Sequence, residues 1–107
     1  MNILVPEYVN QDGRRTLTQL LTAPIQQVNL YEAKRGAYLG NHFHKDTTEY
    51  FYVFNGTLVY NEKSIFSKGS LFKVEPPEKH HLECVSDVTF MTFLTKPYDK
   101  LNPDLYK

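Results

Sequence analysis

Three side chains near the middle of the chain have the chemistry of a metal site. His42 and His44 stand one residue apart, and the carboxylate of Glu49 follows them. On a β-strand, residues i and i+2 point to the same face, so this spacing aims two imidazoles at one point. Neutral imidazole nitrogen and carboxylate oxygen suit Zn, Fe, Mn or Ni. A divalent ion held this way keeps open positions. It can then polarise a substrate oxygen as a Lewis acid, or activate water or O₂.

Strand parity predicts how the three are presented. Glu49 is odd-numbered and the histidines even, so one unbroken strand would separate them. Lys45-Asp46-Thr47-Thr48 must therefore be a turn or bulge that resets the phase. Beyond it, Glu49, Phe51 and Val53 share one face, and Tyr50, Tyr52 and Phe54 the other. Both faces are apolar, which predicts a strand covered on both sides. The aromatic stripe Tyr50, Tyr52, Phe54 is expected to pack under another layer or to form a dimer surface. Asn55-Gly56 reads as a type I′ hairpin turn.

The stretch Gly36 to Gly56 resembles the first motif of the cupin family. Gly36, five residues, His42, one residue, His44, four residues, Glu49, six residues and Gly56 match it without a gap. Gly69 to Cys84 has the length of the second motif but departs from it inside. Glu75 stands in place of the proline, Pro77 in place of the glycine and Cys84 in place of the asparagine. Pro76-Pro77 is similar to the stiff double-proline turn common there. The resemblance implies an all-β cupin double-stranded β-helix, a jelly-roll barrel, formed by residues 1–107 as a single domain. Its implied metal ligands are His42, His44, Glu49 and a fourth histidine. The length from Gly69 and the apolar parity of Leu82 and Cys84 favour His80 as that ligand, whereas counting from Pro76 favours His81. Cys84 is expected to be a buried small hydrophobe.

Within the family, Asp12-Gly13-Arg14-Arg15-Thr16-Leu17 and Gly40-Asn41-His42-Phe43-His44 are similar to cupin domains of nucleotide-sugar isomerases and epimerases, including capsular-polysaccharide enzymes. Those domains commonly carry a basic residue just before the Gly-x-His-x-His segment, and this chain has Leu39 there. The resemblance implies one divalent metal ion and isomerisation or epimerisation of a small carbohydrate-type substrate. Tyr52 and Lys45 are candidate proton-transfer residues by their nearness in sequence. Two alternatives stay open: a non-haem iron dioxygenase and a non-catalytic ligand-binding cupin. Arg14, Arg15, Lys34, Arg35 and Lys45 read as surface charge.

Composition bounds the remaining choices. At 107 residues the chain is long enough for one barrel core and too short for two. Tyr and Phe dominate the aromatics, which favours sheet over helix. Twelve basic and twelve acidic residues cancel and do not cluster, so no nucleic-acid partner is expected. No apolar run is long enough for a membrane helix. The N-terminus lacks a basic region followed by an apolar core, and a lone cysteine makes no internal disulfide, so a cytoplasmic protein is the expectation. The expected partners are a small polar substrate and a second copy of the chain, as a homodimer.

Short strands separated by Gly, Pro and Asn turns run the length of the sequence. Ile3–Val5, stopped by Pro6, predicts an edge strand. Thr16–Leu20 alternates and predicts a half-buried strand. Residues 25–33, 57–60, 64–66, 71–74, 80–85 and 88–95 predict the others. The tail from Lys96 is expected to be an extension across the surface with at most one helical turn.

Overall fold

The computed structural model describes residues 1–107, and it contains strands and turns without a helix. The strands are β1 Asn2–Leu4, β2 Tyr8–Gln11, β3 Thr16–Gln19, β4 Gln27–Ala33, β5 Tyr38–His42 and β6 Glu49–Asn55. They continue with β7 Leu58–Tyr60, β8 Ser64–Phe66, β9 Leu71–Val74, β10 His80–Cys84 and β11 Val88–Leu94. Five strands form one sheet in the order β1-β9-β6-β11-β4, and four form a second in the order β5-β10-β7-β8. From β4 to β7 the chain changes sheet at every step, and from β8 to β11 it does so again. That crossing pattern makes a jelly roll. The sheets are not joined into one hydrogen-bonded cylinder, so the body is a two-layered sandwich rather than a closed barrel.

The core is the space between the layers. Phe51 and Val53 from β6, Val88 and Phe90 from β11, and Phe72 and Val74 from β9 face Leu58, Tyr60, Phe66, Leu82 and Cys84 from the other sheet. Alternation produces this directly: Glu49, Phe51 and Val53 are buried, while Tyr50 and Tyr52 are half-buried. Flat aromatic stacking extends through the core. Phe66 stacks on Phe72 at 4.1 Å, Phe72 on Phe51 at 4.7 Å, and Tyr31 on Phe90 at 4.6 Å. Offset and stacked ring pairs of this kind add to area burial.

Several expectations change in three dimensions. Asn55-Gly56 is not a hairpin turn, because β6 pairs with β11 and β9 whereas β7 pairs with β10 and β8. It is the corner where the chain leaves one sheet for the other. Gly56 has φ of 85°, and a Cβ there would lie 2.1 Å from the Asp87 carbonyl oxygen. The glycine is thus required by a left-handed backbone and a close approach, not by a two-residue turn. The strand over Thr16–Gln19 forms, but it is exposed rather than half-buried. It pairs only with β2, as a ribbon that joins neither sheet by strand pairing. The outer stripe of β6 is not fully covered either: Phe54 is exposed.

The largest departure is on β4. Its apolar residues Val28 and Leu30 point outward, 50% and 57% exposed, and Gln27, Asn29 and Tyr31 point between the sheets. The usual apolar-inward rule is inverted because this strand borders a polar pocket rather than the core. The tail holds no helix; a single turn closed by the Asn102 N–H on the Asp99 carbonyl at 3.2 Å interrupts it before it returns to the loop ahead of β6. Its Tyr106 exchanges main-chain hydrogen bonds with Phe43 at 2.8 and 3.0 Å.

Candidate metal centre

The site forms where the two sheets open at one end. His42, at the end of β5, and His80, at the start of β10, are direct cross-strand partners. Glu49 opens β6 in the facing sheet. His44 comes from the loop between β5 and β6. The ligand atoms of these four residues all lie within 4.8 Å of one another.

Local backbone irregularities aim the side chains. Gly40 and Asn41 both adopt positive φ, 84° and 69°, just before His42. A register shift falls between His80 and His81, so His80 sits opposite His42 while His81 sits opposite Gly40. Bulges of this kind re-aim side chains next to functional sites. His80 therefore joins the cluster. His81 turns away, stacks on Tyr38 at 5.0 Å and leaves Nε2 without a hydrogen-bond partner. The loop 43–48 supplies the phase reset that parity demanded.

Two histidines are held by their outer nitrogens. His44 Nδ1 donates to the Asp104 carbonyl at 2.6 Å, and His80 Nδ1 lies 3.3 Å from the Glu78 carbonyl. A carbonyl only accepts, so each contact places the proton on Nδ1 and turns Nε2 toward Glu49. Nε2 of His44 is 3.2 Å, and that of His80 3.4 Å, from Glu49 Oε1. Donors around a tetrahedral ion with bonds of ~2.1 Å stand ~3.4 Å apart. The residues therefore fit a divalent ion in number, chemistry and spacing, and anchoring of the distal ring nitrogen is the usual support of a metal-binding histidine.

The electrostatics fit as well. Burial pushes the His42 imidazole down to about 4, helped by His80 and His44, so its lone pair is available at neutral pH. Burial alone would raise Glu49. Hydrogen bonds and charge from His44 and His80 together overcome this and hold it at about 2. Burial likewise disfavours the His44 cation, but Glu49 and Asp104 raise its pKa above the ordinary value.

A pocket of about 310 Å³ opens over His42, His44 and Glu49. Gln27, Asn29 and Tyr31 form one wall, Lys96 and Tyr98 another, and Thr47, Asp104 and Leu105 a third. Tyr31 also lines a narrower cleft of about 150 Å³ beside Glu49 and His80. Burial, then Glu49, raises the Tyr31 phenol.

Tyr52 and Lys45 line neither space. Tyr52 lies on the opposite face of β6 from Glu49, edge-on to Phe54. Lys45 reaches over the Tyr106 ring, 4.1 Å from its centroid. Nearness in sequence placed them beside the site; strand alternation and the turn of the loop carry them away. Cys84 is in the core, and burial raises its thiol. The pocket residues that the sequence left unmarked are Tyr31, Gln27, Asn29, Lys96 and Asp104. For β4 a signal existed in the alternation Gln27, Asn29, Tyr31. For Asp104 there was none, because its partners are about sixty residues away.

No protein-family model and no curated protein matches the chain by sequence. Solved structures match it by shape. The chain is similar to the capsular polysaccharide assembling protein CapF from Staphylococcus aureus, at 24% identity and a TM-score of 0.66 over 99% of this chain and 32% of that one. It is similar to the RmlC epimerase of Mycobacterium tuberculosis, at 17% identity and 0.71 over 92% of this chain and 64% of that one. It is also similar to QdtA, a sugar 3,4-ketoisomerase from Thermoanaerobacterium thermosaccharolyticum solved in complex with TDP. There the identity is 16% and the TM-score 0.74, over 97% of this chain and 86% of that one. The chain spans about a third of the length of CapF. The likeness is one of fold, and the fold is the cupin jelly roll.

Proposed function

We propose that this cupin unit, residues 1–107, binds one divalent metal ion through His42, His44, Glu49 and His80 and catalyses isomerisation or epimerisation of a small carbohydrate-type substrate. The observation that carries the reading is a cluster of three imidazoles and one carboxylate, three of them buried, of which His42, His44 and Glu49 line the pocket. The activities of the RmlC and QdtA neighbours, an epimerase and a sugar ketoisomerase, support the reaction class. A pocket of this size is at the low end of ligand sites, which suits a single sugar ring or the sugar end of a larger molecule.

When bound, the ion supplies Lewis-acid stabilisation of negative charge on a substrate oxygen. The chain's residues do the rest. Gln27, Asn29 and Lys96 offer hydrogen bonds to hydroxyl groups. Asn29 is held in place by Thr92 Oγ1 at 3.3 Å, and Gln27 by Asn29 and by the Tyr98 amide, which donates to its Oε1. Tyr31 keeps its phenolic proton at neutral pH and faces the pocket, so it is placed to donate.

The test is elemental analysis of protein purified without chelator, then incorporation of solvent deuterium into a keto-sugar under anaerobic conditions. Stoichiometric metal with anaerobic exchange is expected. Oxygen uptake coupled to substrate loss would replace the isomerase with an iron dioxygenase. A ligand that raises the melting temperature without turnover would indicate a binding cupin.

We further propose that the chain pairs with a second copy through the outer face of β4, where Val28 and Leu30 stand exposed next to the groove formed by Leu20, Leu21, Ala23 and Phe93.

A further inference from the structure

Outside the four donors, one side chain touches an unusual share of the loop that carries them. The Asp104 carboxylate accepts three main-chain N–H groups: Lys45 at 2.7 Å on Oδ1, and Asp46 and Thr47 at 2.8 Å each on Oδ2. Its carbonyl accepts from His44 Nδ1 at 2.6 Å. Two residues later, Tyr106 pairs with Phe43 through the main chain and packs against its ring at 5.4 Å. The ammonium of Lys45 sits over the same Tyr106 ring. Every residue from 43 to 47 is thus tied to the tail segment 104–106, and this loop spans the distance between the histidine pair and Glu49.

We propose that Asp104 is a positioning residue, and that the segment 104–106 is a strap that sets His44 for metal binding. The proposal rests on the metal reading above. Its physical content is pre-organisation. Thr48 is held by Thr95, but residues 43–47 are anchored by the strap, and a loop that must be ordered on binding lowers affinity by the entropy of ordering it. The carboxylate satisfies three amides that the loop cannot pair internally. The carbonyl fixes both the tautomer and the plane of the His44 ring. Asp104 and Leu105 also line the pocket, so the same strap forms part of the substrate wall. Coupling of this kind is reciprocal: whatever helps the strap to hold His44 must let a bound ion help to hold the strap.

The experiment titrates Zn²⁺ alone into the chelator-treated full chain and into Asp104→Ala and Asp104→Asn. A core variant remote from the site, Leu58→Ala, serves as a stability control. Asp104→Ala is expected to lose about 10- to 100-fold in Zn²⁺ affinity, the range for removing a group that orients a ligand. Asp104→Asn, nearly the same shape, should fall between it and wild type. Leu58→Ala should lower the melting temperature and leave affinity within about two-fold, which separates positioning from general destabilisation. In wild type, Zn²⁺ should slow hydrogen exchange at the Tyr106 amide. Unchanged affinity in both Asp104 variants overturns the strap while leaving the metal site standing. A wild type that binds no Zn²⁺ overturns both. If Asp104→Ala does not fold, Asp104→Asn and the exchange measurement decide the matter.

Discussion

His44 Nε2 lies 3.2 Å from Glu49 Oε1 while its Nδ1 donates to the Asp104 carbonyl. Both ring nitrogens therefore face acceptors, and in the metal-free chain Glu49 and Asp104 favour the imidazolium over the neutral ring, against the cost of burial. Glu49, held at about 2, contributes stability above its unfolded value of 4.5 and loses it as pH falls toward 2. His44, raised above 6.5, contributes stability below 6.5 and loses it as pH rises through its folded value. The pair is thus fully stabilising between 4.5 and 6.5. Denaturant titrations of chelator-treated wild type and Glu49→Gln should differ most in that window and converge toward pH 2. Parallel curves from pH 2 to 8 would contradict the pair.

The same geometry sets an order for the histidines. His42→Ala and His44→Ala should reduce bound metal to background, because each removes a donor from the cluster. His80→Ala should weaken metal binding at least ~10-fold. His81→Ala should do little, because its ring faces Tyr38 rather than the cluster. Metal content after dialysis, measured on all four variants, checks the order. Loss in His81→Ala with retention in His80→Ala would reverse the assignment.

Much of this arrangement was legible because local rules governed it. Alternation along Glu49, Phe51 and Val53 marked the buried face of β6, and the parity clash between His44 and Glu49 required the loop between them. Other features depended on partners distant in sequence. Asn55-Gly56 carries the same residue signal as a hairpin, and only strand pairing shows that β6 and β7 belong to different sheets. On β4 the apolar rule failed because a pocket, not a core, lies behind the strand. Tyr52 and Lys45 were close in sequence but not in space, whereas Asp104 was the reverse.

The outward apolar residues of β4 lead to a prediction about assembly. Val28 and Leu30 stand on an edge strand of the five-stranded sheet, beside Phe93 and Met91 of β11. A homodimer through this face should dissociate when Val28→Asp and Leu30→Asp are combined, since two carboxylates would then be desolvated in the contact. Sedimentation should show wild type as a dimer and the double variant as a monomer that keeps its metal. A wild type that sediments as a monomer at high concentration would remove the proposed contact.

Tyr31 offers the sharpest separation of chemistry from metal binding. Its ring lies flat on Phe90, 4.6 Å between centroids and 4° between planes, so packing fixes its direction. It borders both the pocket and the cleft beside Glu49 and His80, but it is not one of the four donors. Tyr31→Phe keeps the stacking surface and removes only the hydroxyl. The metal content and melting temperature should therefore stay close to wild type. Isomerisation of a keto-sugar should fall ~10²- to 10⁴-fold, the usual contribution of a positioned acid. Burial and Glu49 raise the phenol above its ordinary 10, so it stays protonated through neutral pH. Activity limited by this acid should hold as pH rises past neutrality and fall only in the alkaline range. Full activity in Tyr31→Phe would move the proton donor elsewhere in the pocket, with Tyr98 the next phenol on its wall.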